Sequence, residues 1–139
     1  MRNLLFFGIF LIFSASSAFG QIERSIFEAF DLEEIKQIQI NLLDSVKVEF
    51  WPGDNILVES NIAFYNGTKN IFEQLIRDGR YSIVENRASA SLTLSDSGKT
   101  AKKIADKHGL ICDETIERTI YIPEDFALSG GLYVKVEEE

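Results

Sequence analysis

Alternating apolar and polar residues between positions 35 and 65 constrain the fold of this chain more than any other feature. The alternation runs from 38 to 42, resumes from 46 to 50 and returns from 56 to 64. Because successive side chains of a strand point to opposite faces, a period of two indicates a strand with one buried and one wet face. The stretch therefore predicts three strands and no helix.

Turn residues separate these three strands. Asp44-Ser45 lies at the first junction and Pro52-Gly53-Asp54-Asn55 at the second. Aspartate can bond its own backbone, proline presets φ, and glycine supplies the positive φ that a type II turn needs. Connections of about two to four residues favour neighbouring strands that pair as an antiparallel meander. A coil of single-strand rungs fits the same spacing, so two strand orders are open.

A helical pattern interrupts the strands at residues 70–78. Asn70 followed by Glu73 resembles a capping box, while Arg77 and Gly79 suit the C-terminal end of a helix. We expect this helix to cover an open face or end of the sheet. Its apolar residues recur at helical spacing on one side, at Ile71, Phe72, Leu75 and Ile76.

The rest of the chain returns to strand patterns. The lysine-rich segment 99–107 fits either a short amphipathic helix or a mobile loop. The whole predicts a mainly β fold: an antiparallel or stacked β-strand sandwich, or a short β-solenoid, with one short covering helix at 70–78. The later predicted strands are 80–85 and 90–95 around a hairpin at 86–89, then 110–122, 126–128 and 132–136.

Residues 1–20 have the pattern of a signal peptide. A basic start precedes an apolar run from Leu4 to Phe13, and small residues lead to Gln21. The apolar run is short for a spanning helix, which needs ~20 residues; an uncleaved N-terminal anchor is the alternative. We predict cleavage before Gln21 and a single β-rich domain over 21–139, exported to the periplasm, cell surface or extracellular space, with no membrane span after cleavage.

The charge balance excludes some partners. The chain has 14 basic and 22 acidic residues. Loss of Arg2 with the signal peptide leaves 13 basic residues, so the exported chain carries about −9. Nucleic acid and anionic membranes require a basic face, so neither is expected as a partner. A protein or glycan partner fits better.

Residue types with catalytic or metal-binding chemistry are sparse. One cysteine, Cys112, and one histidine, His108, exclude the common zinc patterns, and no calcium-loop spacing occurs. Cys112 lies in an apolar segment and is predicted to be a small buried residue rather than a nucleophile. We therefore expect no metal, no cofactor, no catalytic residue and no enzyme. A hydrolase that uses paired carboxylates on glycans is the alternative.

Two aromatic residues are the candidates for ligand binding. Trp51 falls on the polar side of its strand, beside Lys47 and Glu49, and Tyr65 has a similarly ambiguous position. A large aromatic side chain at such a place either packs against a covering helix or a neighbouring loop, or stacks on a sugar or a partner protein. The helix at 70–78 is the cover that the sequence suggests for Trp51.

Several strand and turn motifs resemble a known group. The segments 30–40, 44–48, 51–59 and 120–126 resemble uncharacterised secreted proteins of Bacteroidota-type bacteria and are similar to the auto-transporter adhesin head families. The resemblance implies stacked strands, a surface binding or structural role, and no catalytic residues. The helix and the lysine-rich segment depart from that pattern. The resulting hypothesis is a small exported adhesin-like β protein of the cell envelope.

Overall fold

The structure is a computed structural model that describes residues 21–137. The predicted signal peptide lies outside the described residues, so its cleavage and the export of the chain stay predictions. The elements are β1 (Ile22–Phe30), β2 (Gln37–Asn41), β3 (Ser45–Trp51), β4 (Ile56–Tyr65), α1 (Lys69–Arg77), β5 (Ile83–Ala88), β6 (Ser91–Asp96), β7 (Ile104–Ala105), β8 (Ile111–Pro123), β9 (Phe126–Ser129) and β10 (Leu132–Lys135).

The strands form two five-stranded sheets. Sheet A has the order β1-β4-β8-β3, with β7 also paired to β8, and sheet B has the order β5-β6-β2-β10-β9. Most neighbours are antiparallel, but β3 pairs with β8 in parallel and β2 pairs with β6 in parallel. The prediction of a mainly β sandwich with one short helix is therefore confirmed.

Of the two strand orders left open for residues 35–65, the antiparallel meander of neighbouring strands does not form. The first of its strands, β2, belongs to sheet B, whereas β3 and β4 lie on opposite sides of β8 in sheet A. In the central register Val48 and Val58 both face Ile120. The short turns thus connect strands that do not pair, because a long apolar strand from late in the chain takes the place between them.

The strand β1 is nine residues long and lies where the sequence pattern predicts no strand. All nine are in register with β4, from Ile22 opposite Phe64 to Phe30 opposite Ile56. The sequence pattern does not indicate this strand, because Arg24 and Glu28 occupy inward positions. Their charged side chains interrupt the apolar alternation.

The helix begins one residue earlier than predicted. Its N-cap is Thr68, whose Oγ1 accepts a hydrogen bond from the Ile71 amide at 3.3 Å, so the expected Asn70–Glu73 capping box is not used. The helix ends at Arg77, one residue before the predicted end, and Gly79 follows it in the left-handed region at φ 75°. It covers one end of sheet A, where Phe72 stacks on Phe64 with ring centroids 5.1 Å apart.

The C-terminal half largely follows the predicted pattern. The hairpin turn lies at 89–90, slightly later than expected, with Ser89 at φ 54°. The lysine-rich segment forms a 3₁₀ turn at Lys99–Ala101 and the two-residue strand β7, so it is not an amphipathic helix. The predicted strand at 110–122 is β8, displaced by one residue.

The buried apolar residues form two clusters. The larger lies between the sheets and the smaller lies beneath α1. Buried polar residues, including Ser60 and Arg118, lie where the two clusters meet. The larger cluster contains Phe30, Leu32, Ile35, Ile38, Ile56, Val58, Ile83, Leu92, Leu94, Ile120, Ile122 and Phe126. The smaller contains Ile62, Phe64, Phe72, Tyr81, Ile104, Cys112 and Ile116.

Candidate functional site

The outward side of sheet A carries a shallow concavity of about 360 Å³. The strands β1, β4 and β8 place alternate residues on this side, since their other residues face the core. The concavity contains Tyr65, one of the two predicted candidates, and its floor is sheet rather than loop. The residues that line it are otherwise mainly polar: Gln21, Glu23, Arg24, Ser25, Asn61, Thr115 and Glu117.

Hydrogen bonds hold several of these polar side chains in place. Ser25 donates its hydroxyl to the Asn61 side-chain oxygen at 2.5 Å, across the β1–β4 pair. Asn61 in turn donates its amide to Glu59 at 3.4 Å, and Gln21 donates to the Glu23 carboxylate. The concavity therefore presents a partly ordered array of hydroxyl, amide and carboxylate groups beside the half-buried Tyr65 ring.

Trp51, the other candidate, folds over its own turn. Its indole N–H donates to the Asn55 carbonyl at 2.9 Å. A Cβ added to Gly53 would lie 2.3 Å from the indole ring, and the ring contacts Tyr121 with centroids 6.1 Å apart. Trp51 is half-buried by the neighbouring loop. A role for its remaining exposed edge in binding stays a prediction.

The structure corrects two details of the Trp51 prediction. The cover is the turn at 52–55 and not α1, which packs at the opposite end of sheet A. Gly53 does not have a positive φ, so the predicted reason for a glycine in this turn is also wrong. Gly53 is needed because the indole ring occupies the space that any side chain would take.

The two candidate aromatic residues do not form one site. Trp51 faces Pro123 across the β3–β8 pair, whereas Tyr65 faces Asp113 across the β4–β8 pair. Those positions on β8 are separated by about 30 Å along the strand. The concavity therefore involves Tyr65 without Trp51.

A buried charged cluster, made of Arg80, Tyr81, Glu114 and Arg118, lies on the inward side of sheet A. Arg80 donates to both oxygens of Glu114 from Nε at 3.1 Å and from Nη2 at 2.5 Å, and also to the Lys99 and Lys102 carbonyls at 2.7 and 2.9 Å. The Tyr81 hydroxyl donates to Glu114 at 2.6 Å. Each of these hydrogen bonds has another group of the protein as its partner.

Arg118 completes this cluster between the two apolar clusters. Its side chain is fully buried, and it donates to Ser60 Oγ at 2.7 Å and to the Tyr81 carbonyl at 3.2 Å. Asp44, at 3.4 Å, supplies the nearby carboxylate. These contacts satisfy a buried guanidinium and join β8 to the chain just before β5, so we assign the cluster a structural role.

Burial is the largest cause of the raised pKa values of Tyr81 and Glu28. Burial, and then the contact with Glu114, raises the pKa of Tyr81 far above its ordinary value. Burial also raises the pKa of Glu28, opposed by the Ile83 N–H and by the charge of Arg118. The Glu28 carboxylate accepts the Ile83 N–H at 3.2 Å, which joins β1 to the start of β5.

Cys112 is buried and its thiol donates to the Asn66 carbonyl at 3.4 Å. Burial raises the pKa of this thiol, which disfavours the thiolate that a nucleophile needs. The predicted buried role of Cys112 is thus confirmed.

Between residues 21 and 137, no cluster of three or more His, Cys, Asp or Glu side chains could hold a metal ion, and no helix is long and apolar enough to cross a membrane.

Sequence reasoning missed Arg80, Glu114 and Arg118. The available signal was parity: Arg118 falls on the same inward side of β8 as Ile116 and Ile120. A charged residue at an inward position of an apolar strand predicts a buried charge with partners. The identity of those partners required the tertiary structure.

Comparisons with known proteins give little further guidance. No protein-family model matches the chain, and no curated protein matches it. One solved structure that it resembles is the crystal structure of a candidate cell adhesion protein from Clostridium sporogenes ATCC 15579, with 11% sequence identity and a TM-score of 0.39. The match covers 74% of this chain but 43% of the clostridial chain, so this chain spans less than half of that protein's length. Similarity at this level does not establish a shared function.

Proposed function

We propose that this protein is a small exported, adhesin-like binding protein without catalytic activity, and that the concavity around Tyr65 binds an uncharged glycan. The observation that supports the proposal is the placement of Tyr65 beside hydroxyl, amide and carboxylate groups on one face of sheet A. A tyrosine ring offers a flat apolar surface for a sugar ring, and polar groups around it can pair with sugar hydroxyls.

The charges of the concavity favour an uncharged glycan over an anionic one. Two of its side chains, Glu23 and Glu117, are acidic, whereas the side chain of Arg24 is on the inward parity of β1, with its guanidinium 3.8 Å from the Glu73 carboxylate of α1. A sulfate or uronate group would therefore meet two carboxylates, while the nearest guanidinium already pairs with Glu73. Carboxylates accept hydrogen bonds well from neutral hydroxyl groups.

A binding role fits these carboxylates better than hydrolysis does. Glu23 lies on β1 and Glu117 on β8, with β4 between them, so their backbones are roughly 10 Å apart or more. That spacing is wide for a retaining glycosidase, whose carboxyl groups lie about 5 Å apart; an inverting enzyme, at about 6.5–9.5 Å, also needs one carboxylic acid that is free to protonate the leaving group. The Glu23 carboxylate also accepts the Gln21 amide. We therefore do not propose a hydrolytic reaction.

A glycan array tests the binding proposal. We expect binding to one or more neutral glycans, a loss of at least about tenfold with Tyr65→Ala, and partial retention with Tyr65→Phe, because the ring supplies stacking. Phe27→Ala is the matched control, since Phe27 is 62% exposed on the same side of sheet A but does not line the concavity. Absence of glycan binding, or equal losses with Tyr65→Ala and Phe27→Ala, would contradict the proposal.

Export requires a separate measurement. The protein recovered from the envelope and extracellular fractions of its own cells should have the intact mass of a chain that begins at Gln21. Recovery only from the cytoplasm, or only with residues 1–20 attached, would refute export with cleavage. This result does not depend on whether a glycan is bound.

A further inference from the structure

The outward side of sheet B, which we call the neutral face, carries no charged residue, although 26% of the chain is charged. The strand register defines the face, because residues paired across neighbouring strands point the same way. Amide and hydroxyl side chains dominate it. Its members are Val84, Asn86 and Ala88 on β5, Ser91, Thr93 and Ser95 on β6, Gln37, Gln39 and Asn41 on β2, Leu132 and Val134 on β10, and Ala127 and Ser129 on β9.

The outward side of sheet A is different. Its pairs include five acidic residues and a single lysine, Lys47; the acidic residues are Glu23, Glu49, Glu59, Asp113 and Glu117. The two sides of the sandwich therefore differ in charge, and the exclusion of charge is specific to sheet B. Depletion of charged residues is one compositional feature of the centre of a protein–protein interface.

We propose that the neutral face binds a second copy of this chain, with the two sandwiches packed back to back through sheet B. Two chains of about −9 each repel one another, and the neutral face is the side on which they can approach without placing like charges in contact. A face of amides and hydroxyls is also complementary to itself, because each of these groups both donates and accepts hydrogen bonds.

Many of the amide and hydroxyl groups on the neutral face can still donate or accept hydrogen bonds from a partner. Within the part of the chain that the structure describes, its side-chain bond joins the Gln39 amide to Asn41 at 3.3 Å. Val84 and Val134 add exposed apolar surface, at 51% and 38%. An aromatic residue, which a glycan site would use for stacking, does not occur among the thirteen members of the face.

The size of the face predicts a weak dimer. Five strands about 4.8 Å apart, each with two or three outward residues, give a surface of roughly 20 by 17 Å. That area is below the ~800 Å² per partner of a standard stable interface. We therefore expect dimers at about 10 µM to 1 mM rather than at nanomolar concentrations.

The proposal also fixes the sign of the salt dependence. Salt screens the long-range repulsion between two acidic copies, while neutral hydrogen bonds are little affected. Dimerisation should therefore tighten, by about twofold or more, when the salt concentration rises from about 20 to about 200 mM. An interface made of ion pairs would weaken instead.

Sedimentation velocity over a concentration series tests the proposal, with protein expressed from the full-length sequence and purified as the cell processes it. Thr93→Glu puts a carboxylate beside Gln39 of the central strand β2 in both copies and should weaken dimerisation at least about tenfold. Thr119→Glu is the matched control, because Thr119 is also a half-buried, mid-strand threonine but lies on the outward side of sheet A. Circular dichroism spectra of both variants should match the wild-type spectrum, which checks that they are folded.

Three outcomes would overturn the proposal. A wild-type chain that stays monomeric up to 1 mM has no such interface. A dimer that both threonine variants weaken equally uses another surface. A dimer whose affinity falls as the salt concentration rises is stabilised by ion pairs and not by the neutral face. If Thr93→Glu fails to fold, the wild-type concentration and salt series still decides. The glycan array reports on the opposite side of the sandwich, so the two proposals can fail separately.

Discussion

Replacing Gly53 by alanine should displace the only tryptophan of the chain without straining the backbone. The backbone of Gly53 does not have a positive φ, so alanine can adopt it. The new methyl group, however, would lie 2.3 to 2.7 Å from three atoms of the Trp51 ring, which is closer than two carbon atoms can approach. The ring must therefore leave the turn.

The energetic cost can be estimated from the contacts that the ring loses. The Trp51–Asn55 hydrogen bond contributes about 1 kcal/mol, and the contact with Tyr121 about 0.5 to 1.5 kcal/mol. Alanine offsets about 0.4 to 1 kcal/mol of this loss by restricting the unfolded chain. We expect a net destabilisation of about 1 kcal/mol, and of no more than about 2 kcal/mol.

Fluorescence reads this prediction directly, because Trp51 is the single tryptophan. Urea denaturation should give the loss of stability, and the native emission maximum of Gly53→Ala should shift to longer wavelength as the ring becomes solvated. Gly67→Ala is the control: its added Cβ would lie 2.3 Å from Phe64, in the other apolar cluster, so it should destabilise the fold with no shift in native emission. A Gly53→Ala variant with unchanged emission and stability would refute the close-packing explanation.

Three further predictions concern buried or capping groups. Arg118→Met should cost about 1–3 kcal/mol in urea unfolding, because Ser60 and the Tyr81 carbonyl lose a buried partner; a variant as stable as wild type would contradict the structural role of Arg118. The pKa of Glu28 is raised in the folded protein, so ionisation of this side chain opposes folding. The stability that its protonated form contributes is fully present below the unfolded pKa and is lost as pH rises through the folded pKa. Glu28→Gln should accordingly be more stable than wild type at pH 7, with the difference shrinking as pH falls through that range, and a difference that grows toward acid pH would reverse the sign argument. Thr68→Ala should cost about 1 kcal/mol in thermal unfolding by removing the α1 cap, while Asn70→Ala, at the rejected capping position, should cost less.

The sequence predicted most helices and strands of this fold well, because the spacing of apolar residues within each segment is enough to indicate its secondary structure. The alternation in β3, β4 and β8 gave their positions to within a few residues, and the helical spacing gave α1. The pattern failed at β1, where Arg24 and Glu28 face inward. Their partners, Glu73 and the Ile83 N–H, lie 49 and 55 residues away in the sequence.

Strand order could not be predicted, because parity fixes which face of a strand is buried but not which strand lies beside it. The apolar face of β8 suits β3 and β4 equally well, and it takes both. The neighbours of Tyr65 could not be predicted either, and its role in binding stays a prediction. Tyr65 was identified from its position, but Ser25, Asn61 and Thr115 become its neighbours only through the β1–β4–β8 register.

The central position of β8 has a consequence for how the chain acquires its structure. Residues 45–65 are synthesised long before Ile111–Pro123, yet β3 and β4 have β8 as a shared neighbour. Pairings of such large sequence separation make folding slow, in the millisecond to second range. A nascent chain that ends before residue 111 has unpaired strand edges at β3 and β4, which are prone to aggregate. Folding must therefore wait until the C-terminal part of the chain is present, and a chaperone that holds the unfinished chain extended should raise the yield of folded protein.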